Sequence, residues 1–492
     1  MLFCRKSTFN NYLFLFFLLF IIVIFNGCTT VALNYIPPKS ALSPEWHAQL
    51  KGVLNVQGID PQKLATWWTT LNDSLLSQLI ERAVSNNLDI KKALARVREA
   101  RARRGLAKAD LFPTLEASGS ATWSHNSNSA LVSQNNELYA ASFDAKWELD
   151  IFGGVQRSVE AAKADLQATI EDLRDVFVSL LAEVALNYLE VRTFQSRLKV
   201  AEANLVAQNE TYQLTLWRYE AGLSDELAVQ QALYNLESTR SQIPTLRIGL
   251  EEAKNRLAVL IGEKPGSLPS ELDELKPIPV PPMEVAIGIP ADVLRRRPDV
   301  RRAERQLAAQ TARVGVAAAD LYPKFTLNGS IGLEALSISS LFTSAIWSIS
   351  GGPKITWAIF KGGAIRQNIE VQSAIQEQYL IAYETAVLNA LEEVENALVS
   401  YGEEQQRRED LWKATRAAQM AVELAQHKYQ TGLTDFSNVL DAERSLLSMQ
   451  DQLVQSEGKI ASNLVRLYKA LGGGWTSLVL NEKKTVENGE KK

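Results

Sequence analysis

Ala109-Asp110-Leu111-Phe112-Pro113 returns as Ala319-Asp320-Leu321-Tyr322-Pro323, so a chain of 492 residues that repeats itself 210 positions on must fold as two versions of one plan. The same offset relates Gly119-Ser120 to Gly329-Ser330, Tyr219 with Gly222-Leu223 to Tyr429 with Gly432-Leu433, and Leu88-Asp89-Ile90 to Pro298-Asp299-Val300. The spacing is longer than any solenoid period and marks one duplicated unit, not an array. Between the copies, Pro265, Pro269, Pro277, Pro279, Pro281 and Pro282 make an extended connector that neither a helix nor a central strand tolerates.

Each copy carries two long helical patterns with a period of seven. Phe177, Val184, Val191, Leu198, Leu205, Tyr212 and Tyr219 fall seven apart, and after Gly222 so do Val229, Leu236, Ile243, Leu250 and Leu257. In the second copy Val439, Leu446, Leu453, Ile460 and Leu467 keep the shorter series, whereas Arg408 and Thr415 interrupt the longer one. A strict seven-residue repeat predicts helices supercoiled left-handedly around neighbours, with Pro244 a candidate kink. At about 1.5 Å per residue, Val155 to Glu220 makes a rod on the order of 100 Å. Gly222 and Gly432 are expected to end the rods with positive φ. Ser224-Asp225-Glu226 and Thr434-Asp435 then supply N-cap oxygens and acidic charge to the returning helices, which makes each copy a helical hairpin. Capping alone is a sufficient role for these acids.

The segments between the helices have period two. Leu115, Ala117, Gly119, Ala121 and Trp123 alternate with Thr114, Glu116, Ser118, Ser120 and Thr122, and Tyr139 to Asp150 sets Phe143, Ala145, Trp147 and Leu149 against Asp144, Lys146, Glu148 and Asp150. In the second copy Phe325, Leu327, Gly329, Ile331 and Leu333 alternate with Lys324, Thr326, Asn328, Ser330 and Gly332, and the returning strand carries Trp347, Ile349, Ile355 and Trp357. Strands of about ten residues, greasy on one side, polar on the other and with Trp near the ends, fit a lipid-facing barrel with a wet lumen. A soluble antiparallel sheet is the competing reading. Four strands cannot close a barrel, since such barrels begin near eight strands and an open edge cannot remain in lipid. Spanning strands therefore require oligomers. Two copies give eight strands and three give twelve, and physics alone does not choose.

The N-terminus points to a bacterial envelope. Arg5 and Lys6 precede an apolar run from Tyr12 to Phe25, shorter than the roughly 20 residues of a spanning helix, and Cys28 follows in Ile24-Phe25-Asn26-Gly27-Cys28-Thr29. The pattern resembles a lipoprotein signal whose Cys28 is acylated (a diacylglycerol and an N-acyl chain); an ordinary signal peptide with a chance Cys, or an uncleaved anchor, are the alternatives. Thr29 in place of Asp points to the outer membrane. With Cys4 in the signal and Cys28 acylated, no thiol pair is left for a disulfide, so packing must supply the stability. The net charge of -4 becomes more negative once Arg5 and Lys6 are removed, which argues against nucleic-acid binding.

Several stretches together carry a resemblance over essentially the whole mature chain. They are Trp67-Trp68 with Leu75 to Asn87, Ala109 to Pro113, Trp147 to Gly154, Ile289 to Asp292 with Arg296 to Asp299, Tyr429 to Leu447, and Leu467 to Trp475. The chain resembles the outer-membrane efflux factors of the TolC type, in the lipoprotein branch similar to OprM and the NodT group. The resemblance implies an α+β membrane protein: a homotrimer sharing a twelve-stranded outer-membrane β-barrel, four strands per chain, continued by a coiled-coil periplasmic tunnel. It implies a periplasmic adaptor and an inner-membrane pump as partners, and no cofactor beyond the lipid on Cys28. The implied divisions are a signal peptide 1–27, an equatorial segment 28–72, a first repeat 73–265 (strands about 114–123 and 139–150), a connector 266–289, a second repeat 290–475 (strands about 324–333 and 347–358) and a tail 476–492. At the closed periplasmic mouth, Asp441 matches the family's aperture aspartate, Asn438 stands where some members carry a second Asp, Asp435 is a further acidic candidate, and Tyr429 matches a tyrosine that forms an interhelical link near the tip. Carboxylates gathered round a threefold axis would favour cations.

Catalysis finds no support. His47, His125 and His427 lie far apart without a metal-ligand spacing, and Gly472-Gly473-Gly474 is followed by Trp475 where a phosphate loop needs Lys-Ser/Thr. The competing function is a lipid-anchored periplasmic coiled-coil scaffold without a pore.

Overall fold

The computed structural model describes residues 34–38, 45–48, 54–55, 60–126, 134–268, 270–280, 285–288, 290–343 and 345–475; the signal peptide, Cys28 and the tail 476–492 lie outside them. After a two-residue strand β1 (Leu54–Asn55) and helices α1 (Pro61–Ala65) and α2 (Ser74–Asn86), the first copy runs α3 (Leu88–Ala109), β2 (Thr114–Asn126), β3 (Gln134–Leu149), α4 (Gly154–Glu220) and α5 (Glu226–Leu260). The connector holds β4 (Val285–Ala286), which pairs in parallel with β1, and leads through α6 (Pro290–Arg296) to the second copy: α7 (Pro298–Ala319), β5 (Lys324–Ala335), β6 (Ile346–Thr356), α8 (Ala364–Gln430) and α9 (Phe436–Ala470). Helices α7, α8 and α9 begin and end 210 residues after α3, α4 and α5, and α4 and α8 are 67 residues each. Helix α5 runs unbroken through Pro244. The chain falls into two compact units, one holding Arg96–Thr169 and Arg302–Glu384 with the described part of Met1–Lys39, the other Ser40–Ala95, Ile170–Arg301 and Thr385–Lys492 as far as they are described.

The first unit contains a four-stranded antiparallel sheet in the order β2-β3-β5-β6. Its register aligns Ala117, Phe143, Ile331 and Ile349 in one row and Glu116, Asp144, Ser330 and Ser350 in the next. Because side chains alternate across a strand, the first row lies on an apolar face and the second on a polar one. Ser142 and Ser118 donate to Asp144 Oδ2 at 2.8 and 3.0 Å. The strands outrun the alternating stretches, with His125 and Asn126 still paired to Asn135 and Gln134. Two residues expected inside strands are corrected. Asp150 lies just past β3, and its carboxylate accepts from Val155 N (3.0 Å) and Gln156 N (2.7 Å), which anchors the start of α4. Trp357 lies just past β6, and its indole donates to Leu321 O at 3.0 Å, as Trp147 donates to Leu111 O at 3.0 Å. The repeated Asp-Leu-aromatic-Pro turn is thus an acceptor for a Trp in both copies.

The second unit is built round a core in which Leu181, Val184, Tyr188, Val191, Leu257 and Leu467 are buried, among them the predicted heptad positions Val184, Val191, Leu257 and Leu467, whereas the last of the first series, Tyr219, is exposed. The glycine run after α9 packs where side chains would not fit. Gly474 N donates to Leu64 O at 3.1 Å, and a Cβ on Gly473 would meet Leu64 and Trp67 at about 3 Å. The two copies tie their helix ends differently. Asn87 Nδ2 donates to Leu260 O at 2.9 Å, and at the equivalent place Arg297 Nη1 donates to Ala470 O at 2.9 Å while pairing with Asp299 and Glu393, both at 2.7 Å.

Candidate functional site

Both long helices of the second unit end as predicted. Gly222 and Gly432 have φ of 70° and 73°. Leu223 N bonds Arg218 O (2.7 Å) and Gly222 N bonds Tyr219 O (2.9 Å), with Leu433 to Lys428 and Gly432 to Tyr429 repeating the motif at 2.8 and 3.1 Å. The returning helices differ. Asp225 caps α5 by accepting from Ala228 N at 2.8 Å, whereas Asp435 makes no side-chain cap bond. The expected second N-cap is therefore corrected: the Thr434 hydroxyl is taken by Asn438 Nδ2 (2.8 Å), and the Asp435 side chain is left exposed.

Tyr429 joins the two hairpin ends. It is buried, its hydroxyl lies 3.4 Å from Ser224 Oγ, its ring centroid is 5.1 Å from that of Phe436, and the Arg218 guanidinium sits 4.7 Å over its face. Asp441 is exposed, as are Asp435 and Asn438; among the described residues neither acid has an ion-pair partner in the chain. The single chain thus places Tyr429 in an interhairpin link and leaves Asp435 and Asp441 facing outward.

Away from the tip, a polar ladder links α4 to the second hairpin. Arg197 forms a bidentate pair with Asp451 (2.7 and 3.1 Å), Asn204 donates to Gln450 Oε1 (2.7 Å), Thr211 donates to Glu443 Oε1 (2.7 Å) and Arg218 donates to Gln430 O (3.3 Å). Arg197, Asn204, Thr211 and Arg218 are seven apart, each one residue before an apolar heptad position. That spacing was visible in the sequence, but nothing there told which polar row faces a helix and which faces water. Glu443, also missed, is buried and receives Gln426 Nε2 at 3.3 Å and Asn235 Nδ2 at 3.4 Å besides Thr211. Burial raises its carboxyl above the ordinary range, against the pull of these three donors.

The sheet with one apolar face, the paired hairpins and the repeat are matched by known proteins. The model of the outer membrane efflux protein family matches twice, over residues 79–263 and 289–473. The chain belongs to that family. As an outer membrane efflux protein it is 32% identical over 461 residues to nodulation protein T of Rhizobium leguminosarum bv. trifolii, covering 93% of this chain and 96% of the relative. It is 31% identical over 455 residues to the cation efflux system protein CusC of Escherichia coli O6:H1, covering 91% and 96%. The structure of the outer-membrane channel OprN superposes with a TM-score of 0.84 at 36% identity, covering 90% of this chain and 99% of that one. The protein is an outer-membrane efflux channel, and no helix among its described residues is long and apolar enough to cross a membrane. The scaffold alternative is not supported.

Proposed function

We propose that this channel is a homotrimer, lipid-anchored through Cys28, that passively conducts cargo delivered by a periplasmic adaptor and an inner-membrane pump, with no catalytic step of its own. Three chains supply twelve strands, and the outer edges of β2 and β6 pair with no other strand among the described residues. One observation carries the reading. Helix α4 packs on α7 through Arg157, beside Gly315, and Ala164, against Ala308 and Ala309, and Ala161 and Ala168 on the same helix are buried as well. At the equivalent positions α8 exposes Gln367, Val371, Ala374 and Gln378, and α3 exposes Arg98, Glu99, Ala102 and Gly105. The seam used once inside the chain is open once, in the same register, for a second copy. A Cβ on Gly315 would touch Arg157 at about 3 Å, whereas its counterpart Gly105 has open space around it.

That register supplies the test. Gly105→Cys with Gln367→Cys in one chain is expected to give, on oxidation in detergent, disulfide-linked species that stop at three copies. A ladder closing at two copies, or no intermolecular bond at all, overturns the trimer. Asp441, Asp435 and Tyr429 are the proposed aperture residues, and Gly222 and Gly432 the tips presented to the adaptor. The cargo is set by the partners: relatives at almost equal identity are named for nodulation and for cation efflux.

A further inference from the structure

Glu443 differs from the exposed acids of the aperture because it sits where the two hairpins meet. It projects from α9 and is held by Thr211 of α4, Asn235 of α5 and Gln426 of α8, so its one carboxylate touches every other helix of the hairpin pair. The groups facing it are neutral on all three. On its own helix Arg444 donates at 3.2 Å to Oδ1 of the same Asn235 amide that reaches Glu443 and lies 5.4 Å over the Tyr234 ring, without an ion pair to Glu443. Among the described residues Glu443 has no ion pair. The other rungs of the ladder are a salt bridge, an amide pair and a carbonyl contact. The layer is poorly suited to stability alone: Gln208, one turn before Thr211, is buried with both amide atoms unpartnered, and an apolar layer would hold the coiled coil better.

We propose that Glu443 is a proton-governed latch between the hairpins: as the neutral acid it stays seated on Thr211 and Asn235 of the first hairpin, and as the carboxylate it favours separation of α9 from α4 and α5. This deepens the channel reading, since parting the hairpins is what opens a tube closed at its tips. Burial lifts the seated carboxyl, so the seated state is favoured most at low pH. That advantage is lost as pH rises from the ordinary carboxylate range, about 4 to 4.5, through the lifted value. The ratio of seated to parted hairpins changes about tenfold for each unit of lift.

The test uses the full-length protein in planar bilayers and, separately, backbone hydrogen exchange over residues 436–450, corrected for the intrinsic effect of pH. With rising pH the wild type is expected to open more often and to lose protection there. Glu443→Gln, which keeps the shape without the charge, should stay closed and protected throughout, and Glu210→Gln, at an exposed carboxylate of α4, should titrate like the wild type. Glu443→Leu should be closed at every pH and more heat-resistant. A Glu443→Gln variant that follows the wild-type pH dependence overturns the latch. A protein that shows the exchange pattern but carries no current keeps the latch and sinks the channel reading, so the two failures are distinct.

Discussion

Helices α4 and α8 have the same length and the same place in the repeat, yet one is enclosed by its own chain and the other is largely bare. Helix α4 buries Arg192, Gln195, Gln208, Thr211 and Thr215; α8 has Gly402, Gln405, Ala418, Ala421 and Ala425 at those positions. The polar groups of α4 are used within the chain: Arg192 Nη1 donates to Glu274 O at 2.7 Å, Gln195 Nε2 donates to Leu272 O at 2.6 Å, and Thr211 reaches Glu443. The connector is thereby strapped onto the first copy. One backbone plan has acquired an inner and an outer version, and the outer version keeps apolar residues such as Val371 (53% exposed) where the inner one has Ala161 (6%). Val371 and Ala374, exposed on α8 at positions that its own repeat buries, point to a partner of the same shape.

The largest effect separates the two versions. Ala161→Asp puts an unpaired charge into a filled seam and should cost the protomer about 3–5 kcal/mol, read as a fall in its unfolding midpoint. Val371→Asp, at the equivalent place on α8, should leave the protomer folded with an unchanged circular-dichroism spectrum and remove the trimer from a heated gel. Equal losses of folding in both variants would mean that the second seam is not an interface.

An intermediate effect compares the two helix-end ties. Arg297→Ala removes one partner of Asp299 and the bonds to Glu393 and the Ala470 carbonyl; because Asp299 is partly and Glu393 largely exposed, about 2–3 kcal/mol is expected. Asn87→Ala removes the bond to Leu260 O and the cap on Asp89 N (2.8 Å), for about 1–2 kcal/mol. Denaturant midpoints measured at a common slope rank the two, and a larger loss for Asn87→Ala would show that the second copy's charge network adds nothing.

What was legible in the sequence follows what has a period. The seven-residue series located the hairpins, and the two-residue alternation located the strands to within a few positions, because burial on one face repeats along the element. Strand ends were less legible: Asp150 and Trp357 continue the alternation of β3 and β6 by one residue, yet their side chains serve the adjoining helix and turn. The interhairpin ladder escaped notice although it too has a period of seven. Asn204 or Thr211 one residue before an apolar heptad position reads as a solvated flank until the facing helix is known, and Glu443 lies two residues beyond the more obvious Asp441.

The smallest effect is at the N-caps. Asp225→Ala removes a bond that holds the first turn of α5 and should cost about 1 kcal/mol, whereas Asp435→Ala removes no cap bond and should leave stability within about 0.5 kcal/mol. If Asp435 instead serves the aperture, its removal should change cation preference in single-channel recordings while the melting curve stays in place, and Asp225→Ala should do the reverse. A loss of stability in Asp435→Ala matching that of Asp225→Ala would return Asp435 to a capping role. The two hairpin ends, alike in backbone down to their glycines, would then differ in their carboxylates only by the solvent around them.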